Sequence, residues 1–440
     1  MIALARHLIR DRRGGVAPMF AICLVPLIGA VGSAVDYTVA AKIRSQLLAA
    51  ADAASIGSVA KSSAALAAAA TMSGDGPIPA GTTDATKIFN AEISAQAGYT
   101  LSAVTATVSK SGSTVTSTVN FTANVPTHFM GLFGFSTVPV RGSATAANSL
   151  PVFIDFYLLL DNTPSMGVAA TPADVATMVS NTPDQCAFAC HDLSNSNDYY
   201  HLAKSLGVTM RIDVLRTATQ KLMDTAKSTA VFPNQFRMGI YTFGASAKKS
   251  GLDTIQSLTS NLATAKSAAA AIDLMTVPYQ NYAGDTATNF GDALSDIDDA
   301  ISKPGAGTTS AAPQKYLFFV SDGVADRVNG SPGCSRPVTN SSDPQTGKNY
   351  VRCQEPLDVS FCTKIKDRGI KIAVLYTTYL PLPSNAWYNT WIAPFASQIG
   401  PSMQSCASPG LYFEVSPTQG ISEAMNALFQ KAVAQARLTK

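Results

Sequence analysis

Charged side chains are scarce in this sequence: Asp, Glu, Lys and Arg together make up 14% of 440 residues. The net charge is +3, and the basic residues are scattered instead of forming the stripe that displaces counterions from nucleic-acid phosphates. The sequence also lacks a Walker-type GxxxxGK[ST] loop, a GxSxG elbow and an HExxH pair. These absences argue against nucleic-acid binding, a P-loop motor and the common hydrolases.

Charge is missing altogether from residues 14–35, which follow an arginine-rich start. A helix over this run would be about 33 Å long, enough to cross a hydrocarbon core of about 30 Å. Because basic residues stay on the cytoplasmic side, we expect a single-pass anchor with everything after Asp36 outside. A cleaved signal peptide ending at the small residues 32–34 is the alternative. The arginines are Arg6, Arg10, Arg12 and Arg13.

Cysteine is uncommon, and its placement fits the same topology. Cys23 lies in the apolar run, and the other six follow it on the side where disulfides form. Cys186 and Cys190 are close enough in sequence to pair locally, and the pairing of the other four stays open. The disulfide candidates are Cys186, Cys190, Cys334, Cys353, Cys362 and Cys406.

Changes in composition divide the chain into three segments. Residues 1–72 hold the basic tail, the apolar run and, over 37–70, an Ala-rich pattern that predicts an amphipathic helix continuing out of the membrane. Residues 73–150 change to period-two alternation rich in Val and Thr, with a turn at 110–113, and predict a small β unit. With about 440 residues to organise, we expect a larger main domain in 151–440.

Apolar strand-like runs alternate with helical patterns in residues 151–440. Strands separated by helices indicate an α/β fold with a doubly wound, mainly parallel sheet. Two long polar stretches, 168–205 and 325–363, carry five of the six outer cysteines, and loops of this length are usually functional or stapled. The predicted strands are 152–160, 236–243, 316–320 and 370–376, and the predicted helices are 211–228, 290–301 and 421–438.

Polar side chains follow the predicted strands at the points where they end. Asp161, Thr163 and Ser165 come directly after the first strand, and Asp322 follows a later strand in a Ser-Asp-Gly sequence. Thr288 lies just before a predicted helix. Because ligands of open α/β sheets collect at the carboxyl ends of the strands, we expect these five side chains on one rim. Such hard oxygen donors suit Mg²⁺, or Mn²⁺ or Ca²⁺, better than Zn²⁺.

This set resembles the metal-ion-dependent adhesion site of von Willebrand factor A domains, with the pattern Asp-x-Ser/Thr-x-Ser, a distant Thr and a later Asp before Gly. Asp161, Thr163 and Ser165 match the first part, Thr288 in TNFGDAL the second, and Asp322 in VSDG the third. The resemblance implies a Rossmann-like A-type domain in which the hydroxyls bind the ion directly, the acids act largely through water, and a partner's carboxylate completes the shell. Taken singly, each residue also fits a helix cap or a turn.

The start of the chain resembles a second family. RRGGVAPMFAICLVPLIGAVGSAVDY, followed by AAKIRSQLLAAADAAS, is similar to the anchor of TadG-type proteins of the Tad (Flp) pilus system, as are CAFACHDL at 186–193 and the C-terminal tail. Related pseudopilins carry Glu five residues after a processing Gly, whereas counting from Gly15 gives Phe20, so prepilin-type cleavage is not expected. The resemblance implies a bacterial inner-membrane protein, a periplasmic or cell-surface C-terminal domain, and other Tad pilus components as partners.

Two non-enzymatic functions are compatible with these features. A pilus-assembly component would dock neighbouring pilus proteins through the anchor and the β unit. A surface adhesin would instead grip an acidic residue of a protein ligand through the metal rim. The metal could also serve only to lock the loops at the end of the sheet.

An enzymatic function and a zinc site are alternatives with less support. Metal-dependent hydrolysis would need a general base, and His7 and His128 lie outside the main domain, so no enzymatic activity is expected. On the outer side of a membrane, a disulfide with surface histidines is favoured over zinc. The zinc candidates are Cys186, Cys190, His191 and His201.

Overall fold

The computed structural model of the chain describes residues 16–72, 74–330, 333–334, 336–379, 386–416 and 420–438. The chain divides into two compact units, Met1–Leu150 and Pro151–Lys440. The segments 1–72 and 73–150 thus fall within one unit instead of forming two. The arginine-rich start and His7 lie outside the described residues.

The N-terminal unit packs helices against a four-stranded antiparallel sheet. Its helices are α1 Val16–Ser58, α2 Ala64–Thr71 and α3 Pro79–Ile93. Its strands are β1 Gly76–Pro77, β2 Thr100–Ser111, β3 Thr114–Pro126 and β4 Thr137–Ser149, and they lie side by side in this order. The turn between β2 and β3 falls at the predicted hairpin. Because α1 packs on α3 and β4, this long helix and the sheet share one core.

Helix α1 contains the apolar run and continues well beyond it. By length and composition, its part Met19–Ser58 could cross a membrane. Beyond the run, its buried residues recur at helical spacing, as the amphipathic pattern predicted. The helix does not reach residue 70, because Ser63 starts α2 by accepting a hydrogen bond from the Leu66 N–H. The buried stripe of α1 includes Ala40, Ile43, Leu47, Ala50 and Ala54.

The C-terminal unit is built on a six-stranded sheet. The strands of the whole unit, including those of two smaller sheets, are in chain order β5 Ile154–Leu160, β6 His191–Asp192, β7 Phe236–Thr242, β8 Asp253–Thr259, β9 Thr276–Val277, β10 Gln314–Ser321, β11 Val324–Val328, β12 Pro337–Ser342, β13 Asn349–Pro356, β14 Lys371–Thr377 and β15 Tyr412–Val415. Its helices are α4 Pro172–Asn181, α5 Tyr199–Ser205, α6 Arg211–Thr229, α7 Leu262–Ala268, α8 Phe290–Ala300, α9 Val359–Asp367, α10 Ala396–Cys406 and α11 Ile421–Leu438.

The main sheet has the order β15-β14-β10-β5-β7-β8, in which β8 alone runs antiparallel to its neighbour. Renumbered within this sheet, that is the doubly wound order 3-2-1-4-5-6. Successive residues of β10 point to opposite sides: Phe318 joins a core with α6 and α11, and Phe319 a core with α8, α9 and α10. The predicted doubly wound, mainly parallel fold is therefore confirmed.

The cysteines of the C-terminal unit pair differently from the local prediction. Disulfides join Cys334 to Cys353 and Cys362 to Cys406. Cys186 and Cys190 are free thiols, so the prediction that they pair with each other is wrong. The Cys186 sulfur instead accepts a hydrogen bond from the Phe188 N–H at 3.4 Å.

Candidate metal centre

The first part of the site is the turn that follows β5. Strands β5 and β10 are neighbours in the sheet, so the residues after them meet at the same edge. Asp161 Oδ1 accepts hydrogen bonds from the Thr163 N–H at 3.0 Å and the Thr163 hydroxyl at 2.6 Å. Asp161 Oδ2 accepts one from the Ser321 hydroxyl at 2.6 Å. The carboxylate thus links the two strand ends while it is completely buried.

The second acid, Asp322, is buried beside the first. Burial raises the pKa of Asp322 to about 7, and the negative charge of Asp161 adds to the increase. Burial likewise raises the pKa of Asp161. Among the described residues, Asp322 Oδ2 has no hydrogen-bond partner, although a buried carboxylate oxygen normally has one. The Ser165 hydroxyl lies 3.3 Å from Thr163 Oγ1 and lowers the pKa of Asp322 by hydrogen bonding.

Thr288, which lines a cavity together with Ser165, is held in place by backbone hydrogen bonds to Asp326. Its N–H donates to the Asp326 carbonyl at 2.7 Å, and the Asp326 N–H donates to the Thr288 carbonyl at 2.8 Å. Thr288 and Ser165 line the same cavity, whose volume is about 380 Å³. The structure therefore brings Asp161, Thr163, Ser165 and Asp322 together. Thr288 lies in the wall of the cavity that Ser165 also lines.

A buried cation, Arg211, was missed by the sequence analysis. It begins α6, its side chain is 2% exposed, and its Nη1 lies 3.9 Å from Asp322 Oδ2. Burial lowers the pKa of Arg211, while the charge of Asp322 opposes that effect. The site therefore holds two carboxylates and one guanidinium. A sequence signal existed, because Arg211 occupies the helical stripe of Leu215 and Ala218, where apolar residues are usual.

The small sheet β11-β13-β12 supports the loop that carries Thr288. Asp326 of β11 accepts a hydrogen bond from Arg352 Nε at 2.6 Å and another from Gln354 Nε2 at 2.9 Å. Gln354 Oε1 accepts one from Trp387 Nε1 at 2.9 Å, and the Arg352 guanidinium lies 4.8 Å from the centre of the Trp387 ring. This network fixes the backbone of Asp326, to which Thr288 is paired.

Asp343, between β12 and β13, holds the segment preceding Thr288. Its Oδ2 accepts hydrogen bonds from the Ala283 N–H and the Tyr279 hydroxyl, both at 3.0 Å. That segment needs support, because Ala283 and Asp285 adopt left-handed backbone angles, with φ of 50° and 64°. Asp343 therefore keeps a strained loop in the conformation that presents Thr288.

The donor set fits a hard divalent cation. Two carboxylates and three hydroxyls are the oxygen ligands that Mg²⁺, Mn²⁺ and Ca²⁺ prefer. Asp322 Oδ2 is free to bind an ion, and a cation would offset the negative charge that Arg211 leaves unbalanced. The chemistry that such an ion supplies is attraction of a further anionic oxygen ligand.

The zinc alternative finds no support in the part of the chain that the structure describes. No group of three or more His, Cys, Asp or Glu side chains there is arranged to hold an ion. His201 Nδ1 lies 2.6 Å from Asp198 Oδ1, and the His191 ring stacks on Tyr200 with centroids 4.1 Å apart. The two histidines thus have structural contacts of their own.

Comparison with protein families concerns the N-terminal segment. Residues 14–61 match the family model described as putative Flp pilus-assembly TadE/G-like. The chain therefore carries a TadE/G-like segment at its N-terminus, which confirms the resemblance for residues 14–61. No curated protein matches the chain.

Several solved structures are similar to the chain. One is the vWF domain of the type V pili tip protein Mfa5 from Porphyromonas gingivalis, with 11% identity, 66% of this chain and 97% of that chain covered, and a TM-score of 0.36. The PilB minor pilin from Streptococcus sanguinis shows 13% identity, coverage of 77% and 78%, and a TM-score of 0.36. Proximal thread matrix protein 1 from the mussel byssus, with a zinc occupied MIDAS motif, shows 12% identity, coverage of 64% and 46%, and a TM-score of 0.33. Because these identities and TM-scores are low, the fold assignment rests on the strand order of the main sheet and not on these similarities.

Proposed function

We propose that the chain is a membrane-anchored, extracytoplasmic component of a Tad (Flp) pilus system whose C-terminal unit binds a divalent cation and, through it, a protein partner. The observation that carries this proposal is the cluster of buried Asp161, Thr163 and Asp322 with half-buried Ser165 at the carboxyl edge of the sheet. The cluster occurs in a chain whose N-terminus is TadE/G-like. Binding, rather than catalysis, is the function that this combination supports.

Each side chain has a distinct part in the proposed site. The hydroxyls of Thr163, Ser165 and Thr288 would bind the ion directly, and the two acids would act largely through water. Asp161 also holds the Thr163 hydroxyl in place, since it accepts its hydrogen bond at 2.6 Å. With Arg211 nearby, the protein contributes little net negative charge. The ion would therefore favour an additional carboxylate from a partner.

The proposed location follows from helix α1. Its apolar part would cross the inner membrane once, and the arginine-rich start would remain in the cytoplasm. The C-terminal unit would then lie in the periplasm or at the cell surface. Other pilus components are the partners that the TadE/G-like segment favours.

Adhesion is a second candidate function, and the cavity beside the metal site favours it. Ser165 and Thr288 share that cavity with Arg352 and Trp387, so it offers a ligand both ionic and aromatic contacts next to the metal. An acidic residue of a protein ligand could bind the ion while a neighbouring side chain enters the cavity. Assembly and adhesion are compatible functions. They differ in whether pilus formation or attachment depends on the metal.

Bacteria carrying Asp161→Ala, compared with a deletion of the gene, separate these functions. The proposal expects the deletion to block pilus formation. If Asp161→Ala spares pili but abolishes attachment, the metal serves adhesion. If the folded variant loses both, the metal serves assembly. Normal pili and attachment in both strains would contradict the proposed function.

A further inference from the structure

The loop between β3 and β4, residues 127–136, exposes a cluster of large apolar side chains. Leu132 is 80% exposed, Phe135 61% and Phe133 53%. Residues 129–135, FMGLFGF, contain no charged or hydrogen-bonding side chain. Contiguous exposed apolar surface of this kind usually marks an interaction site.

The β3–β4 loop packs against the apolar run of α1. A Cβ atom added to Gly29 would lie 2.7 Å from Phe133 Cζ, and one added to Gly32 would lie 2.5 Å from Phe129 Cβ. Only glycine allows the two rings to approach the helix this closely. The loop therefore lies beside residues 29–32, inside the uncharged stretch that ends at Val35.

The position along the helix corresponds to a shallow depth in a bilayer. At 1.5 Å per residue, Gly32 and Gly29 lie about 4.5 Å and about 9 Å before Val35 along the helix axis. Apolar elements that rest in the interface of a membrane reach about 5–10 Å into the boundary between headgroups and acyl chains. The rings of Phe129 and Phe133 are thus at the level expected for the outer interface.

The first charged residue after the apolar run attaches the loop to the helix. Asp36 Oδ1 accepts a hydrogen bond from the His128 N–H at 3.0 Å. Asp36 Oδ2 accepts two more, from the N–H groups of Phe129 at 2.9 Å and Met130 at 2.7 Å. These bonds satisfy backbone groups that would otherwise be costly to place near lipid.

Backbone groups at the far side of the loop are also satisfied. The Leu132 N–H donates to the Phe129 carbonyl at 3.1 Å, and the Phe135 N–H donates to the Met130 carbonyl at 3.1 Å. Satisfied backbone and apolar side chains are the two properties that lipid contact requires. A water-exposed loop requires neither.

We propose that the β3–β4 loop inserts into the outer interface of the membrane that α1 crosses, with Leu132, Phe133 and Phe135 in contact with lipid. This proposal rests on the proposed membrane anchoring and is independent of the metal site. Its occupant is the lipid bilayer, because the exposed apolar surface of the loop is continuous with that of the spanning helix. The loop then fixes the N-terminal unit against the membrane surface at a second point.

The test uses the full-length protein in vesicles of phosphatidylethanolamine and phosphatidylglycerol, with and without lipids brominated on their acyl chains. Leu132→Trp adds a fluorescent reporter to the loop, and the signal of Trp387 and Trp391 is removed by subtracting the wild type. Ser111→Trp is the matched control, because Ser111, the last residue of β2, pairs with Thr114 at the opposite end of β3, about 40 Å from the loop at 3.3 Å per residue. Extraction of the vesicles with carbonate tests the anchor separately.

The proposal expects blue-shifted emission from Leu132→Trp and loss of most of its added fluorescence in brominated lipid, with no quenching of Ser111→Trp. Release of the wild-type protein by carbonate would overturn the anchoring on which the proposal rests. Retention of the protein with an unquenched, red-emitting Leu132→Trp would overturn the loop proposal alone. Unquenched but blue-shifted emission that grows with the protein-to-lipid ratio would also overturn it, because a second protein copy would then cover the loop.

Discussion

The two units differ in which groups lie in an unfavourable environment: apolar side chains exposed in one, and polar atoms buried without hydrogen bonds in the other. The N-terminal unit exposes apolar side chains, such as Ile22, which is 73% exposed, and Leu132. Within its described ranges, the C-terminal unit buries polar atoms that lack hydrogen bonds, including Asp322 Oδ2, Arg211 Nε and Thr377 Oγ1. Both arrangements are unfavourable in water. The contrast is consistent with the two proposals that the first unit contacts lipid and that the second binds an ion at the strand ends.

The most far-reaching expected effect, loss of the whole protein from the membrane, comes from a charge in the apolar run of α1. Val25 is 63% exposed, and an arginine in its place adds about 2.5–3.5 kcal/mol to the free energy of membrane insertion. We expect Val25→Arg to be released from membrane fractions by carbonate. Ser45→Arg, on the same helix beyond the run, should remain bound. Full retention of Val25→Arg in the membrane fraction would contradict the proposal that the apolar run of α1 spans the membrane.

The C-terminal unit should depend on its disulfides. The Cys362–Cys406 bond spans 44 residues, so its loss in Cys362→Ser should lower the free energy of unfolding by about 4 kcal/mol. Urea unfolding followed by tryptophan fluorescence measures this change, because Trp387 and Trp391 lie in that unit. Cys186→Ser removes a free thiol and should leave the midpoint nearly unchanged. Equal losses in the two variants would show that Cys186 is also bonded.

Replacing Arg211 tests whether its buried charge interacts with the acids of the proposed metal site. Arg211→Met leaves Asp322 without its nearby cation, which should cost about 3 kcal/mol of stability without metal. The variant should also gain more melting temperature from added Mg²⁺ than the wild type does, because its site is more negative. Arg216→Met, on the same helix with Asp213 as its partner, should leave the response to Mg²⁺ unchanged. Equal responses in both variants would contradict the proposed role.

The smallest expected effect concerns Asp343 and pH. Burial tends to raise the pKa of Asp343, but hydrogen bonds from the N–H groups of Thr346 and Ala283 lower it to about 2. Since the folded pKa lies below the unfolded value of 3.8, the stabilisation is present above about pH 4 and is lost as the pH falls toward 2. The melting temperature of the wild type should therefore fall more steeply over this range than that of Asp343→Asn. Parallel curves would show that the carboxylate does not hold the loop.

The sequence predicts those parts of the fold that have strong local patterns. Strands β5, β10 and β14 are buried on both faces, so they appear as continuous apolar runs. Strand β8 is mixed in composition and only partly buried, and it was missed. The small sheet that supports Thr288 depends on pairing between distant segments, which a local pattern does not encode.

The candidate site shows the same division. Its five proposed ligands follow from their positions after strands and before a helix. Arg211 and Asp343 were missed, because their roles depend on three-dimensional contacts with Asp322 and with the segment before Thr288. The apolar β3–β4 loop was also overlooked, although seven consecutive residues without a polar side chain between two strands gave a signal.

Calorimetric titration of Mg²⁺ and Mn²⁺ into the full-length protein in detergent tests the metal site most directly. Asp161→Ala removes the carboxylate that organises the site, and Asp224→Ala removes one paired with Lys266 elsewhere on the unit. The account predicts binding by the wild type and Asp224→Ala and none by Asp161→Ala, with all three folded by circular dichroism. Absence of binding by the wild type, or equal binding by Asp161→Ala, would contradict it.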